Sequence, residues 1–118
     1  MFKDDLVRLR HMLDAANEAL DFTRDKTRDD LDNERMLLLS VTKLIEIIGE
    51  AANKVTDQVQ AEHPEIDWTS IVGMRHKLSH GYFEIDNDIV WATITEDLPP
   101  LIEALEGILD RETAFDES

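Results

Sequence analysis

The stretch that decides the fold is LLLSVTKLIEIIGEAANKV, residues 37–55. Its apolar residues recur at steps of three or four, which is the spacing of one face of an α-helix. The positions that keep this spacing are Leu37, Val41, Leu44, Ile48, Ala52, Val55 and Val59, and Leu38 and Ile45 widen the stripe. Such a wide stripe predicts a long helix buried against two neighbours, or against one neighbour and a partner subunit. Gly49, Ala51 and Ala52 would let another helix approach closely.

The residues before this long helix predict another helix near the N-terminus. Its apolar face consists of Phe2, Leu6, Leu9, Leu13, Ala16 and Leu20. The charged stretch DFTRDKTRDD, residues 21–30, should end that helix. Asp30 or Asp32 is then expected to cap the long helix, because a short carboxylate accepts hydrogen bonds from the unpaired amides at a helix start.

The residues after the long helix predict a short third helix. Pro64 interrupts the pattern, since the residue before a proline resists the helical conformation. Asp67 is the expected N-cap of the next helix. Gly81 is its expected stop, because glycine adopts the left-handed C-terminal conformation without strain.

The C-terminal part of the chain completes the predicted fold. Asp86 or Asn87 can open a fourth helix, and the prolines at 99–100 either kink this helix or begin a fifth. The sequence therefore predicts an all-α, up-and-down bundle of four to five helices. Residues 1–110 should form a single helical domain, followed by a frayed polar tail at residues 111–118.

The composition is that of a globular protein, with 42% hydrophobic and 33% charged residues among 118. We expect a cytoplasmic protein, because the chain has neither a run of about 18 apolar residues nor the pattern of a secretory signal. The absence of cysteine excludes disulfides and thiolate metal sites. A formal net charge of -15 argues against broad, non-specific binding to nucleic acid, which depends on phosphate neutralisation.

Against this acidity, one basic cluster stands out in GMRHKLSHGYFEID, residues 73–86. It contains Arg75, His76, Lys77, Ser79, His80 and Tyr82. Three interpretations compete. Cations at a helix C-terminus interact favourably with its carbonyl groups, which would make the cluster a helix cap. His76 and His80 share a face of a continuous helix, as paired zinc ligands do, but no third local ligand accompanies them. The third interpretation is a phosphate-handling active site.

The phosphate interpretation rests on Arg75 and His80. On an uninterrupted helix they would lie about 140° apart around the axis. They can face one substrate only if the helix ends between or just after them, or if two copies of the motif meet at a dimer axis. Neutral His80 could then take a proton from a ribose 2′-hydroxyl, while Arg75 stabilises the negative charge on the phosphate. This chemistry needs no metal or cofactor.

The sequence resembles the HEPN-domain proteins of the HepT-like type. Arg75, four residues, His80, Gly81 and Tyr82 match the Arg-x4-His-x-Tyr signature of that family. The flanking segments IIGEAANKV, PEIDWTSIVGMR and EIDNDIVW with TEDLPPL also fit, so that the resemblance covers nearly the whole chain. It implies a small helical homodimer that acts as the RNase toxin of a toxin–antitoxin pair, with tRNA as the first expected substrate.

The resemblance also implies roles for individual residues. Arg75 and His80 would be catalytic. Tyr82 would accept AMP from ATP through a minimal nucleotidyltransferase antitoxin, and this modification would silence the toxin. His76 stands where the family usually has a small polar residue, so it and Ser79 are supporting candidates.

Glu50 is a further supporting candidate, with two interpretations. It could orient Arg75 through a charge-assisted bond, but an i,i+4 pair with Lys54 or plain exposure to solvent is the simpler interpretation. At the level of the whole protein, the alternative to a toxin is a non-catalytic helical subunit that helps a nucleotidyltransferase to bind its nucleotide. In that case Arg75 and His80 would only grip phosphate.

Overall fold

The computed structural model describes the backbone of residues 1–80 and 84–117, and the side chains of residues 1–78 and 84–112. Seven α-helices lie within these residues. They are Lys3–Phe22 (α1), Arg28–Asn33 (α2), Arg35–Lys54 (α3), Asp57–Glu62 (α4), Trp68–Lys77 (α5), Asn87–Ala92 (α6) and Leu98–Glu117 (α7). A π-helical segment, Thr93–Asp97, joins α6 to α7, and a short antiparallel pair is formed by Ser79–His80 (β1) and Glu84–Ile85 (β2).

The core lies between the three long helices, because α1 packs against both α3 and α7. Its centre is formed by large side chains that are withdrawn from solvent almost completely. They include Leu9, Met12, Ile45, Ile48, Leu105 and Ile108. The predicted all-α fold is therefore confirmed. Within the described residues, no helix has the length and apolar composition needed to cross a membrane.

The apolar stripe predicted for the long helix, from Leu37 to Val59, is divided between α3 and α4. Lys54 is the last residue of α3, and Thr56 caps α4 by accepting a hydrogen bond from the amide of Val59 at 3.4 Å. The break is held by Asp5 of α1, which is 2% exposed. Its carboxylate accepts hydrogen bonds at 2.9 Å from both the amide and the hydroxyl of Thr56. Because this contact joins residues distant in the chain, the apolar spacing alone does not reveal it.

The start of the long helix also differs from the prediction. Neither Asp30 nor Asp32 is its N-cap. Thr27 instead begins the separate short helix α2 in a capping box, and Asp30 accepts a hydrogen bond from the Thr27 amide at 2.7 Å. Glu34 separates α2 from α3. Phe2 was expected on the buried face of the first helix, but it is the N-cap residue of α1 and is 70% exposed.

A polar network joins α2 to the start of α6. Arg28 donates hydrogen bonds to Asp32 at 2.9 Å and to Asp88 at 2.6 Å, while the Asn87 amide donates to Asp32 at 2.8 Å. The hydrogen bonds from Asn87 and Arg28 lower the pKa of Asp32. The bonds to Asp32 and Asp88 raise the pKa of Arg28. This network helps to fix the segment that follows β2.

The predicted caps further along the chain are largely confirmed. Asp67 is the N-cap of α5, and its carboxylate accepts hydrogen bonds from the amide and hydroxyl of Ser70 at 3.2 and 2.8 Å. Asp86 caps α6 by accepting from the Ile89 amide at 3.1 Å. The prolines at 99–100 lie in the first turn of α7, directly after the π-helical segment, and the backbone stays helical from α6 through this segment into α7. α7 continues to Glu117, across the expected domain boundary at residue 110.

Candidate active site

The close approach of α5 to α3 places the last turn of α5 beside the middle of α3. Gly49 makes this approach possible, since a Cβ atom there would lie 3.2 Å from the carbonyl oxygen of Ile71 and 3.4 Å from that of Val72. A contact of 3.2 Å is tighter than most real Cβ contacts, so alanine would force the helices apart. The predicted close approach at this small-residue stretch is thus confirmed, and the neighbouring helix is α5.

Arg75 lies in the last turn of α5 and extends towards α3. Its guanidinium nitrogen is 3.9 Å from a carboxylate oxygen of Glu50. The two side chains are 49% and 50% exposed, so each can reach a ligand from solvent. Among the described residues, Glu50 forms its ion pair with Arg75 rather than with Lys54, and half of its side chain is exposed to solvent.

α5 ends at Lys77, earlier than the predicted stop at Gly81. The following residue, Leu78, is 2% exposed and fixes the end of the helix in the core. Its carbonyl oxygen accepts a hydrogen bond from the Asp86 amide at 2.6 Å. The backbone then enters β1, in which His80 is the partner of Glu84.

The other predicted site residues fall in or beside this hairpin. The backbones of Ser79 and His80 form β1, but their side chains lie outside the described residues. Gly81 and Tyr82 lie outside the described residues altogether. His76 is exposed beside Arg75. The structure thus brings Arg75, His76 and Glu50 together at one place.

A groove of about 600 Å³ runs between α3 and α5 and includes these three residues. We call it the α3–α5 groove. Its described lining comprises Gly49, Glu50, Asn53, Lys54, Asp57, Gln60, Trp68, Thr69, Val72, Gly73, Arg75 and His76. Asn53 and Lys54 were not predicted as site residues. They lie three and four positions after Glu50, and this spacing on a helix puts them on the same face.

Trp68 and the basic last turn of α5 also contribute to the fold. Trp68 is 8% exposed and donates an indole hydrogen bond to the carbonyl oxygen of His63 at 3.0 Å, so it anchors the start of α5 in the core. The last turn of α5 carries three basic residues, Arg75, His76 and Lys77, whose position beside its carbonyl groups also fits the helix-cap interpretation. Within the described residues, no group of three or more histidines, aspartates or glutamates is arranged to hold a metal ion.

A second cavity, of about 410 Å³, lies between α5, α6, the π-helical segment and α7. Its apolar lining includes Ile71, Met74 and Leu101, with Lys77 and Asp97 among its polar residues. None of the predicted site residues whose side chains the structure describes, Glu50, Arg75 and His76, lines it. The α3–α5 groove is therefore the candidate active site.

Comparison with known proteins identifies the class of this helical protein. The chain belongs to the HepT-like family of ribonucleases, because the family model described as ribonuclease HepT-like matches residues 12–108. This confirms the resemblance drawn from the Arg75–Tyr82 motif and its flanks, and it makes the chain a ribonuclease by family.

Individual relatives carry corresponding names. The chain is 33% identical over 98 residues to "Putative RNase MJ1380" of Methanocaldococcus jannaschii, and the matched region covers 83% of this chain and 90% of that protein. It is 37% identical over 81 residues to "Probable ribonuclease HepT" of Thermococcus cleftensis, covering 69% and 74%. "Putative RNase TTE0752" of Caldanaerobacter subterraneus is 30% identical over 104 residues, covering 88% and 93%. A search of solved structures found no significant match.

Proposed function

We propose that this chain is the metal-independent endoribonuclease of a cytoplasmic toxin–antitoxin pair, with Arg75 and His80 as its catalytic residues. The observation that supports the proposal is the end of α5 at Lys77, between these two residues. An uninterrupted helix would separate them by about 140°. Because the chain leaves the helix after Lys77 and enters β1, the helical geometry no longer prevents Arg75 and His80 from facing one phosphate.

The proposed reaction uses the 2′-hydroxyl of RNA as its nucleophile. His80 takes the proton from this hydroxyl, and the 2′-oxygen bonds to the adjacent phosphorus. The bond from phosphorus to the 5′-oxygen breaks, and that oxygen leaves with a proton supplied by an acid. Arg75 carries a permanent charge and stabilises the phosphate oxygens as negative charge grows on them. The products are a 2′,3′-cyclic phosphate and a 5′-hydroxyl.

Regulation is proposed to occur at Tyr82. A cognate minimal nucleotidyltransferase antitoxin would transfer AMP from ATP to the phenol oxygen, releasing pyrophosphate. The attached phosphodiester would be negatively charged, so it could pair with Arg75 and occupy the place of the RNA phosphate. Co-expression with the antitoxin should add the mass of AMP to the wild type and not to Tyr82→Phe. Addition of AMP to Tyr82→Phe would move the regulatory site elsewhere.

A homodimer is proposed from the apolar residues that α3 leaves in solvent. Met36 is 84% exposed and Leu39 is 45% exposed, although both belong to α3, which contributes Val41, Ile45 and Ile48 to the core. A second copy of the chain would cover them. Light scattering should give twice the chain mass for the wild type and the single mass for Met36→Asp combined with Leu39→Asp. A monomeric wild type would reject this part of the proposal.

Expression of the protein without its antitoxin tests the toxin assignment. Growth should stop in cells that express the wild type, and a denaturing gel should show RNA fragments, with tRNA as the expected target by family resemblance. His80→Ala should leave both growth and RNA intact. The strong acidity of the chain favours the alternative, a subunit that assists nucleotide binding by a nucleotidyltransferase. Uninterrupted growth with intact RNA in the wild type would support that alternative.

A further inference from the structure

Gly73 lies inside α5, yet packing among the described residues does not require a glycine there. Glycine inside a helix is less favourable than alanine because it loses more conformational freedom on folding. At Gly49 the nearby Ile71 carbonyl leaves too little space for a Cβ atom, which explains why a glycine stands there despite this cost. A Cβ atom built on Gly73, in contrast, meets no atom of the described residues within 4 Å. Gly73 therefore borders open space, and that space is the α3–α5 groove.

The groove is polar and carries both signs of charge. Its cations are Lys54 and Arg75, and its carboxylates are Glu50 and Asp57. Asn53, Gln60, Thr69 and His76 add hydrogen-bonding groups. The chain has a formal net charge of -15, whereas the described lining of the groove has as many cations as carboxylates. An anionic strand can therefore approach the chain at this groove.

The dimensions of the groove exceed those of a single phosphate group. Thr69 and Arg75 both line it, and they are six residues apart on α5. A helix rises about 1.5 Å per residue, so these positions are separated by about 9 Å along its axis. A phosphate held at Arg75 therefore leaves room for an adjoining nucleoside further along the groove.

We propose that the α3–α5 groove binds the nucleotide next to the cleaved phosphate in single-stranded RNA. The sugar–phosphate backbone passes over Gly73, where the missing side chain permits close contact. Lys54 binds the neighbouring phosphate as a point charge. This inference rests on the proposed ribonuclease function, and it adds two binding residues, Lys54 and Gly73, to the Arg75–Tyr82 motif.

A strand of RNA fits this groove better than a helix of a second subunit does. The interior of a subunit interface is depleted of charged residues, whereas the described lining of the groove includes four charged side chains. The large apolar side chains exposed on α3, Met36 and Leu39, are not among its lining residues. The surface suited to a second copy and the groove are therefore separate parts of α3.

Gly107 provides a matched control for substitutions at Gly73. Gly73→Ala should melt several degrees higher than the wild type, because alanine favours the helix and the added methyl group meets no described atom. It should nevertheless bind RNA at least tenfold more weakly, and Gly73→Leu more weakly still. Gly107→Ala in α7 is the control, since its Cβ would make only an ordinary contact, 3.5 Å from the Arg111 guanidinium. It should bind RNA like the wild type.

Binding is measured with a short fluorescent single-stranded RNA whose 2′-hydroxyls are methylated. This probe lacks the attacking group of the proposed reaction, so binding is read without cleavage. Lys54→Gln should weaken binding and lower the slope of log affinity against log salt by about 0.7, the effect of one lost phosphate contact on a single strand. Lys3→Gln, on α1 outside the groove, removes the same charge and should leave that slope unchanged.

The outcomes separate this inference from the function on which it rests. Unchanged RNA binding by Gly73→Ala would overturn the groove assignment, and cleavage of unmethylated RNA by the same variant would leave the ribonuclease standing. Conversion of a dimer to a monomer by Gly73→Ala would show that the groove holds a second subunit and would also overturn it. If the wild type cleaves no RNA but binds the methylated probe through Gly73 and Lys54, the groove assignment stands and the ribonuclease proposal fails.

Discussion

The carboxylate of Glu50 and the guanidinium of Arg75 lie 3.9 Å apart, and they join the middle of α3 to the last turn of α5. This distance is too long for a hydrogen bond but short enough for attraction between opposite charges. Because Gly49 lets the two helices approach closely, the backbone brings these side chains together. We therefore propose that Glu50 positions Arg75 in the candidate site.

Replacing Glu50 by glutamine should separate binding of RNA from its cleavage. Glu50→Gln removes a negative charge from the groove, so KM should fall. It also removes the charge that positions Arg75, so kcat should fall several-fold. Stability should change by less than about 0.5 kcal/mol, since the pair is exposed. The control is Glu46→Gln, which breaks a 3.8 Å pair with Lys43 on the same helix. An unchanged kcat in Glu50→Gln would contradict the positioning role.

Gly49→Ala should destabilise the fold by about 1–3 kcal/mol. Its Cβ would lie 3.2 Å from the Ile71 carbonyl, and a backbone atom cannot move aside as a flexible side chain does. Urea unfolding followed by circular dichroism measures the loss. Gly73→Ala is the natural comparison, because it makes the same chemical change in open space. Equal stability of the two variants would contradict the description of the α3–α5 contact.

Asp5→Ala should cost about 1–3 kcal/mol, because it leaves the amide and hydroxyl of Thr56 without their buried acceptor. Asp4→Ala is a suitable control, since Asp4 is the exposed neighbour in the same helical turn. The free energies of unfolding of both variants can be compared in urea. A loss for Asp5→Ala no larger than that for Asp4→Ala would show that this contact does not hold the break between α3 and α4.

Acid should remove the stabilisation provided by Asp67. The hydroxyl and the amide of Ser70 lower its pKa in the folded protein. A lowered folded pKa means that the ionised carboxylate stabilises the fold above its ordinary pKa near 3.9, and that this is lost as pH falls through the folded value. Melting temperatures from about pH 7 to 2 should therefore converge for the wild type and Asp67→Asn below about pH 4. Parallel curves over the whole range would contradict this assignment.

The helical core could be predicted from the sequence because it depends on local spacing. Leu9, Val41, Ile45 and Ile48 are buried as their periodicity requires. The breaks between helices could not all be predicted, since Thr56 is held by a carboxylate 51 residues away. The start of α2 did have a local signal. Thr27 and Asp30 have capping-box spacing, and this spacing favours Thr27 as an N-cap.

The candidate site could be predicted only in part. The Arg-x4-His-x-Tyr motif predicts Arg75, His80 and Tyr82, and the resemblance of the flanking segments makes this motif specific. His76 is a candidate only as part of the basic cluster. The pairing of Glu50 with Arg75 depends on the approach of α5 at Gly49, and the simpler local pair with Lys54 was favoured instead. The proposed role of Gly73 could not be predicted from the sequence, because a helical glycine beside open space looks the same in sequence as one beside a packed backbone.

Cleavage of RNA by purified protein in the presence of EDTA tests the central claim most directly. The wild type should cut single-stranded RNA and leave 2′,3′-cyclic phosphate ends, whereas Arg75→Ala and His80→Ala should be folded and lose at least about a hundredfold in rate. Circular dichroism of each variant verifies its helical content. Cleavage by His80→Ala at the wild-type rate, or a wild type that cuts RNA only when a divalent metal is restored, would contradict the account.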